Sequence, residues 1–501
     1  MPKFEFGSTS PAEQAADLCV LPVFEGPEPG PGTREVGKAL EADIGRVLEE
    51  NRFRGKLGEV LTLPTLGRAV PGSVLLVGVG PKAEATPDRL RRAAGKVAGR
   101  VAGFRRVSLA LAQAGKGSAG EAIEGTVEGL LLGAYRFDRY KVQPIEDGMK
   151  PRWETVTLLG TSRQDATAAR RAIRRAEVLA EATAWARDLV NTPALDATPD
   201  YLAREARKMA RQVGLESKVW SKAELEKGGF GGILGVGRGS ENPPRLIELR
   251  YRGGRRGTPV ALTGKGVTFD SGGLSIKDAQ QMEWMKSDMA GAATMLAAMR
   301  AIGELKPKVN VVAAIPSAEN LPGGSAIRPG DILTHRGGKT SEVLNTDAEG
   351  RLILADALAY LVEQKPRAIV DAATLTGACM IALGQEIWGV MGNDRRVIRD
   401  LLDAGEDAGE PGWELPLWTS YRKQIESTVA DVKNIGDRYG GAITAALFLK
   451  EFVGDVPWAH MDIAGTAFSE KPGDYWPMGA TGNPVRTIVG FVERQAGSKR
   501  S

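Results

Sequence analysis

The chain has 501 residues, 42% of them apolar and 26% charged, with 66 Lys and Arg against 62 Asp and Glu. That length exceeds one small domain, so two are expected, of ordinary globular composition. A net charge of +4 is too small for this size to argue for nucleic acid, and two histidines, His335 and His460, exclude HExxH peptidases and imidazole-rich metal cages.

The opening stretch MPKFEFGSTSPAEQAADLCVLPVF lacks a basic region followed by an apolar leader core, and no apolar run approaches the ~18 residues that span a bilayer. Cys19 and Cys379 both lie in apolar surroundings, as buried thiols of a reducing compartment do, so a cytoplasmic location is expected.

ADLCVLPVF, SVLLVGVG and RVSLALAQA read as strands, and GKALEADIGRVLEE, TPDRLRRAAGKVAGRVAG and GEAIEGTVEGLLLGAY as helices, giving a small α/β domain over 1–165. A polar, proline-containing segment (138–154) precedes one more strand, TVTLLG. The helical pattern over 166–190 reads as a connector. A larger domain, 191–501, alternates the strands RLIELRYRG, PVALTGKG, KVNVVAAIP, RAIVDAATLTG and PWAHMDIAG with helices, among them TPDYLAREARKMARQVG. The fold class is therefore α/β, the second domain built on a mainly parallel sheet flanked by helices, with ligands expected beyond the carboxyl ends of its strands.

Several segments have bland readings. The basic stretches 89–106 and 169–175 have helical spacing without interleaved aromatics, which favours solvated helix faces over a nucleic-acid surface. GKGSAG (115–120) formally satisfies GxGxxG, yet no acid is placed for a ribose, and a plain turn is preferred. GKG at 264–266 lacks the Ser or Thr and the earlier glycine of a phosphate loop, so a Walker motif is rejected. His335 is expected to be solvated, and His460 with Asp462 to form a structural pair on a buried strand.

The chemistry concentrates in two stretches. In VLNTDAEGRLILADALAYL (343–361), Leu352, Ala355, Leu358, Ala359 and Leu361 recur at helical intervals. Asp347 and Glu349 would point about 200° apart on a helix but together in an extended segment, so NTDAEG reads as a loop with converging acids. Simple capping of the helix by these acids is the alternative. In PVALTGKGVTFDSGGLSIKDAQQMEWMKSDMAGAATML (259–296), Lys265, Asp270, Lys277 and Asp288 follow an apolar strand.

Together these stretches resemble the leucyl (cytosol) aminopeptidase family of two-metal exopeptidases. Residues 345–351, NTDAEGR, match its signature in full. GKGVTFDSGG, Lys286 with DM and GA at 288–292, DAATLTGA, WAHMDIAGTA and GATG (479–482) match further blocks in order, over roughly 185–495. The resemblance implies that Lys265, Asp270, Asp288, Asp347 and Glu349 ligate two divalent cations, Mn2+ or Zn2+, with Asp270 and Glu349 bridging. Lys265 would bind as a neutral amine, so metal affinity should rise with pH. It also implies a carbonyl-polarising role for Lys277, a bicarbonate ion at Arg351 as proton shuttle, and a substrate pocket drawing on Met285, Asn345, Thr374 and Gly377. Hydrolysis of N-terminal leucine or other apolar residues from peptide substrates and a homohexamer are implied as well. A DNA-binding regulator, motivated by the basic helices, and a nucleotide-binding enzyme, motivated by GKGSAG, are the competing readings.

Overall fold

A computed structural model describes residues 2–142, 151–160, 166–254 and 257–497. The expected boundary near 165 and the middle of the proline-containing segment, 143–150, lie outside them. The chain divides into two compact units, residues 1–181 with 471–478, and residues 182–470 with 479–501.

The first unit is built on a sheet in which Lys3–Gly7, Thr155–Leu159, Arg106–Leu109, Leu18–Phe24 and Ser73–Gly80 run parallel in that order, closed by the antiparallel edge strand Val60–Pro64. Alternation along Leu18–Phe24 serves both faces, as the period of two requires. Leu18 and Val20 pack with helices Pro87–Val101 and Ala119–Gly133, and Cys19, Leu21 and Val23 with helices Thr33–Leu40 and Ile44–Glu50. The stretch expected as one helix over 37–50 is two, because Glu41 turns left-handed at φ 53° and Asp43 caps a new start through the N–H groups of Gly45 and Arg46. Strands Lys3–Gly7 and Val60–Pro64 were not anticipated. The basic stretch 89–106 is less solvated than its spacing suggests: Arg91 is buried against Glu128 at 2.8 Å, Arg92 pairs with Asp88, and Arg106 with Asp17.

Helix Ala166–Asn191 begins in the first unit and ends in the second. The second unit carries a sheet ordered Gly412–Glu414, Trp388–Gly392, Trp458–Asp462, Ala368–Ala373, Val260–Gly264, Asn310–Asn320, Arg245–Arg252, Glu216–Trp220. Its four central strands are parallel, and Gly266–Asp270 extends the pairing along Asn310–Asn320. Antiparallel pairing enters toward both edges. The central strands are buried on both faces, which their unbroken apolar runs require. Helix Ala290–Leu305 lies so close to the sheet that a Cβ on Gly291 would stand 2.1 Å from the Ala372 carbonyl oxygen.

Both histidines depart from expectation. His335 is buried, with Nδ1 3.2 Å from Asp356 Oδ1 and Nε2 2.7 Å from Ser341 Oγ. This Ser–His–Asp string has no access to solvent, and Asp356 also accepts the N–H groups of Ile233 and Arg336, so it ties loops together. His460 pairs with Asp371 at 2.6 Å, not with Asp462, because Asp371 stands directly opposite it on the neighbouring strand, closer than a residue two positions along its own. Asp462 instead accepts from the Thr376 hydroxyl at 2.6 Å. Both cysteines are buried free thiols, as read, and burial pushes Cys19 up to about 11 and Cys379 up to about 12.

Candidate metal centre

Every expected charged residue of the site lies at the carboxyl end of the central strands or in the loops beyond it, except Arg351, in the first turn of helix Gly350–Glu363. Lys265 follows Val260–Gly264 and Asp270 closes Gly266–Asp270. Asp288 stands between the short turn Met285–Ser287 and helix Ala290–Leu305. Asp347 and Glu349 sit in the loop that enters helix Gly350–Glu363. That helix has no side-chain cap, so the capping alternative for these acids fails.

The acids converge. Ligand oxygens of Asp270, Asp347 and Glu349 lie within 4.8 Å of one another. Lys265 links Asp288 to this group, its Nζ 2.7 Å from Asp288 Oδ2 and 2.8 Å from Glu349 Oε1. Lys277 Nζ lies 2.9 Å from Asp270 Oδ2 and also contacts Asp347. A Cβ on Gly350 would stand 2.5 Å from Lys265 Cε, so only glycine lets the helix start approach that lysine.

Burial and crowding of like charge dominate the electrostatics. Burial, reinforced by the charge of Glu349, pushes Asp270 up to about 6. Burial also drives Asp288 well above the carboxylate range, against the opposing pull of Lys265, and raises Asp347. Glu349 goes the other way: burial would raise it, but the Lys265 and Lys277 ammoniums outweigh that. Burial would lower both lysines, yet their carboxylate neighbours hold them above the ordinary lysine value. Asp288 Oδ2 and Glu349 Oε1 are buried and face the Lys265 ammonium. Four convergent carboxylates, two with such oxygens, and one amine fit hard or borderline divalent cations.

Two asparagines that sequence reasoning missed hold this arrangement. Asn320 Nδ2 donates to Asp270 Oδ1 at 2.8 Å and to the Thr346 carbonyl at 2.9 Å. Asn434 Oδ1 accepts from the N–H groups of Leu344 and Asn345, and its Nδ2 donates to the carbonyls of Asn345 and Ala348. Thr346 completes the lock, donating to the Gly272 carbonyl at 2.6 Å and accepting from the Ser275 N–H at 2.8 Å.

Arg351 is buried and donates through Nη1 to the Asn434 carbonyl at 2.8 Å. Its Nε has no partner among the described residues, and burial brings its pKa down to about 10. Of the expected pocket residues, Thr374 touches the charged cluster, its hydroxyl donating to Asp288 at 2.7 Å and its carbonyl accepting from Lys265 at 3.1 Å. Asn345 Oδ1 accepts the Asp347 N–H at 2.8 Å. Met285 is half-buried in its turn, and Gly377 opens helix Gly377–Leu383, exposed, with free space where a Cβ would stand.

Comparison with known proteins agrees with this site. Residues 184–489 match the cytosol aminopeptidase family's catalytic domain, and residues 20–144 its N-terminal domain. A probable cytosol aminopeptidase of Syntrophotalea carbinolica is 47% identical over 96% of this chain and 97% of its own, and one of Geobacter sp. strain M21 is 45% identical over 98% and 100%. Among solved structures, a tomato leucine aminopeptidase mutant superposes with a TM-score of 0.88 at 33% identity, covering 99% of this chain and 97% of its own. The bottromycin maturation enzyme BotP in complex with Mn gives 0.85 at 38%, covering 96% and 100%. A buried cluster of carboxylates and lysines at the sheet's carboxyl edge, together with near full-length likeness, places this chain in the cytosol aminopeptidase family of hydrolases.

Proposed function

We propose that the chain is a two-metal aminopeptidase that removes N-terminal apolar residues, leucine foremost, from peptides. The observation that carries this reading is the convergence of Asp270, Asp347 and Glu349 oxygens, extended to Asp288 through Lys265. Asp270, Asp288, Asp347, Glu349 and a neutral Lys265 would hold two divalent cations, manganese or zinc. When bound, such cations polarise a carbonyl and make water nucleophilic near neutral pH.

The protein's own groups do the rest. Lys277 is not among the ligands; with its carboxylate neighbours engaged by cations, it keeps its charge and donates to the scissile carbonyl oxygen as negative charge develops there. Arg351, with a free Nε, is suited to hold a bicarbonate ion that shuttles a proton toward the leaving amine. Met285, Asn345, Thr374 and Gly377 would border the first side chain of the substrate, where a thioether and small residues suit an aliphatic group. Family likeness supports a homohexamer and a cytoplasmic setting. No helix among the described residues is long and apolar enough to cross a membrane.

Purified protein supplied with Mn2+ or Zn2+ should release leucine from leucinamide, and both EDTA and Glu349→Ala should abolish release. Hydrolysis that survives either treatment would refute the reading.

A further inference from the structure

In the N-terminal unit, the strand Leu18–Phe24 lies between two parallel neighbours, Ser73–Gly80 and Arg106–Leu109. Leaving Leu18–Phe24, the chain passes to helices on one face of the sheet; leaving either neighbour, it passes to helices on the other. Loops that part in this way open a crevice beyond the carboxyl end of the central strand, the position where open α/β sheets take their ligands. Here the crevice is a cavity of about 490 Å3, within the range of small-molecule sites.

All three loops contribute cations: Arg34 follows the central strand, and Lys82 and Lys116 follow its neighbours. Lys82 is shared with Glu28, 2.5 Å away. Arg34 and Lys116 have no carboxylate within ion-pair reach among the described residues, whereas Arg91, Arg92 and Arg106, elsewhere in the same unit, are all paired. The Lys116 backbone N–H donates to the Ala85 carbonyl at 2.7 Å, which fixes it beside the loop that carries Lys82. Lys116 is the lysine of GKGSAG, a glycine-rich stretch that the peptidase reading leaves unused.

The remaining lining has a second character. Pro29 and Pro31 supply apolar surface beside the buried Phe24 ring, over which Lys82 lies, and Glu35 supplies a carboxylate that no described cation pairs. Cations from separate loops suit a chain of phosphates, the proline edge suits the apolar side of a base, and a free carboxylate suits ribose hydroxyls. We propose that this crevice binds a nucleoside diphosphate. It would thereby be a second ligand site whose lining is supplied wholly by the N-terminal unit.

The test is calorimetric titration of the metal-loaded protein with ADP, and in parallel with pyrophosphate, inorganic phosphate and adenosine. ADP should bind and raise the melting temperature, pyrophosphate should bind more weakly, and phosphate and adenosine should give no heat. The double variant Arg34→Glu with Lys116→Glu should lose roughly tenfold or more in ADP affinity while keeping its leucinamide hydrolysis; Lys227→Glu, an exposed lysine of the other unit, should change neither. Because diphosphates coordinate cations, Glu349→Ala is titrated as well and should retain ADP binding. No binding at millimolar ADP, binding unchanged in the double variant, or binding lost only in Glu349→Ala would each overturn the proposal.

Discussion

Asn434 shows how much of the proposed metal site is decided away from its candidate ligands. Its buried side chain serves two backbone N–H groups and two carbonyls of the loop that presents Asp347 and Glu349. Truncation strands all four, one buried and three partly buried, and a buried one costs on the order of 1–3 kcal/mol, less what relaxation and water recover. Asn434→Ala should therefore lower the urea-unfolding free energy by about 3 kcal/mol and weaken metal binding by roughly 10–100-fold, the range seen when groups supporting metal ligands are lost. A normal metal isotherm in a folded Asn434→Ala protein would mean the loop holds itself. The five ligand candidates were legible through the motifs that carry the family resemblance, NTDAEGR and GKGVTFDSGG among them; Asn434 was not. Its partners lie up to 90 residues away in the chain, and a lone asparagine bound to backbone leaves no periodic trace. His335 was misread for a related reason, since its partners Asp356 and Ser341 belong to separate elements.

At the scale of elements, glycines set how closely helices approach the strands that carry the site. Gly291 and Gly350 both stand where a Cβ would collide, but with different things: a Cβ on Gly291 meets a backbone carbonyl at 2.1 Å, one on Gly350 the Lys265 side chain at 2.5 Å. A carbonyl in a central strand cannot move without the sheet, whereas a lysine stem can. Gly291→Ala should thus lower the melting temperature sharply, overpacking costing about 1–3 kcal/mol or more. Gly350→Ala should fold near normally yet lose most activity, because Lys265 is pushed from Asp288 and Glu349. Gly377→Ala, with open space around it, should melt as the parent does. Thermal melts and leucinamide assays on the three variants separate these outcomes. Central strands of both sheets were readable from their apolar runs, and Pro87–Val101 and Pro199–Val213 from their Thr-Pro-Asp starts. The edges were not: Val60–Pro64 alternates over only five half-exposed residues, and the break at Glu41 rests on one left-handed residue that composition does not announce.

For the whole molecule, the site is a store of unfavourable charge that cations would relieve. Burial holds Asp270 near 6 and Asp288 well above the usual carboxylate value, so without metal the folded state retains protons there that the unfolded chain gives up near pH 4. A carboxyl whose folded pKa is raised stabilises the fold fully below its unfolded pKa and loses that contribution as pH rises through the folded value. The metal-free protein should therefore forfeit the Asp270 part of this increment between about pH 4 and pH 6. On the proposed ligand set, bound cations would require those same groups deprotonated, and Lys265 neutral, so metal binding should expel protons and strengthen as pH rises. The two effects act in the same direction on one observable. The rise in melting temperature produced by a fixed Mn2+ concentration should be larger at pH 7.5 than at pH 5.5, and calorimetry in buffers of different ionisation enthalpy should register net proton release. In Asp270→Asn the pH dependence of the metal-induced rise should shrink, because one of the titrating ligands is gone. A rise that is equal at both pH values, or that falls as pH increases, would mean that these carboxyls do not gate the metal.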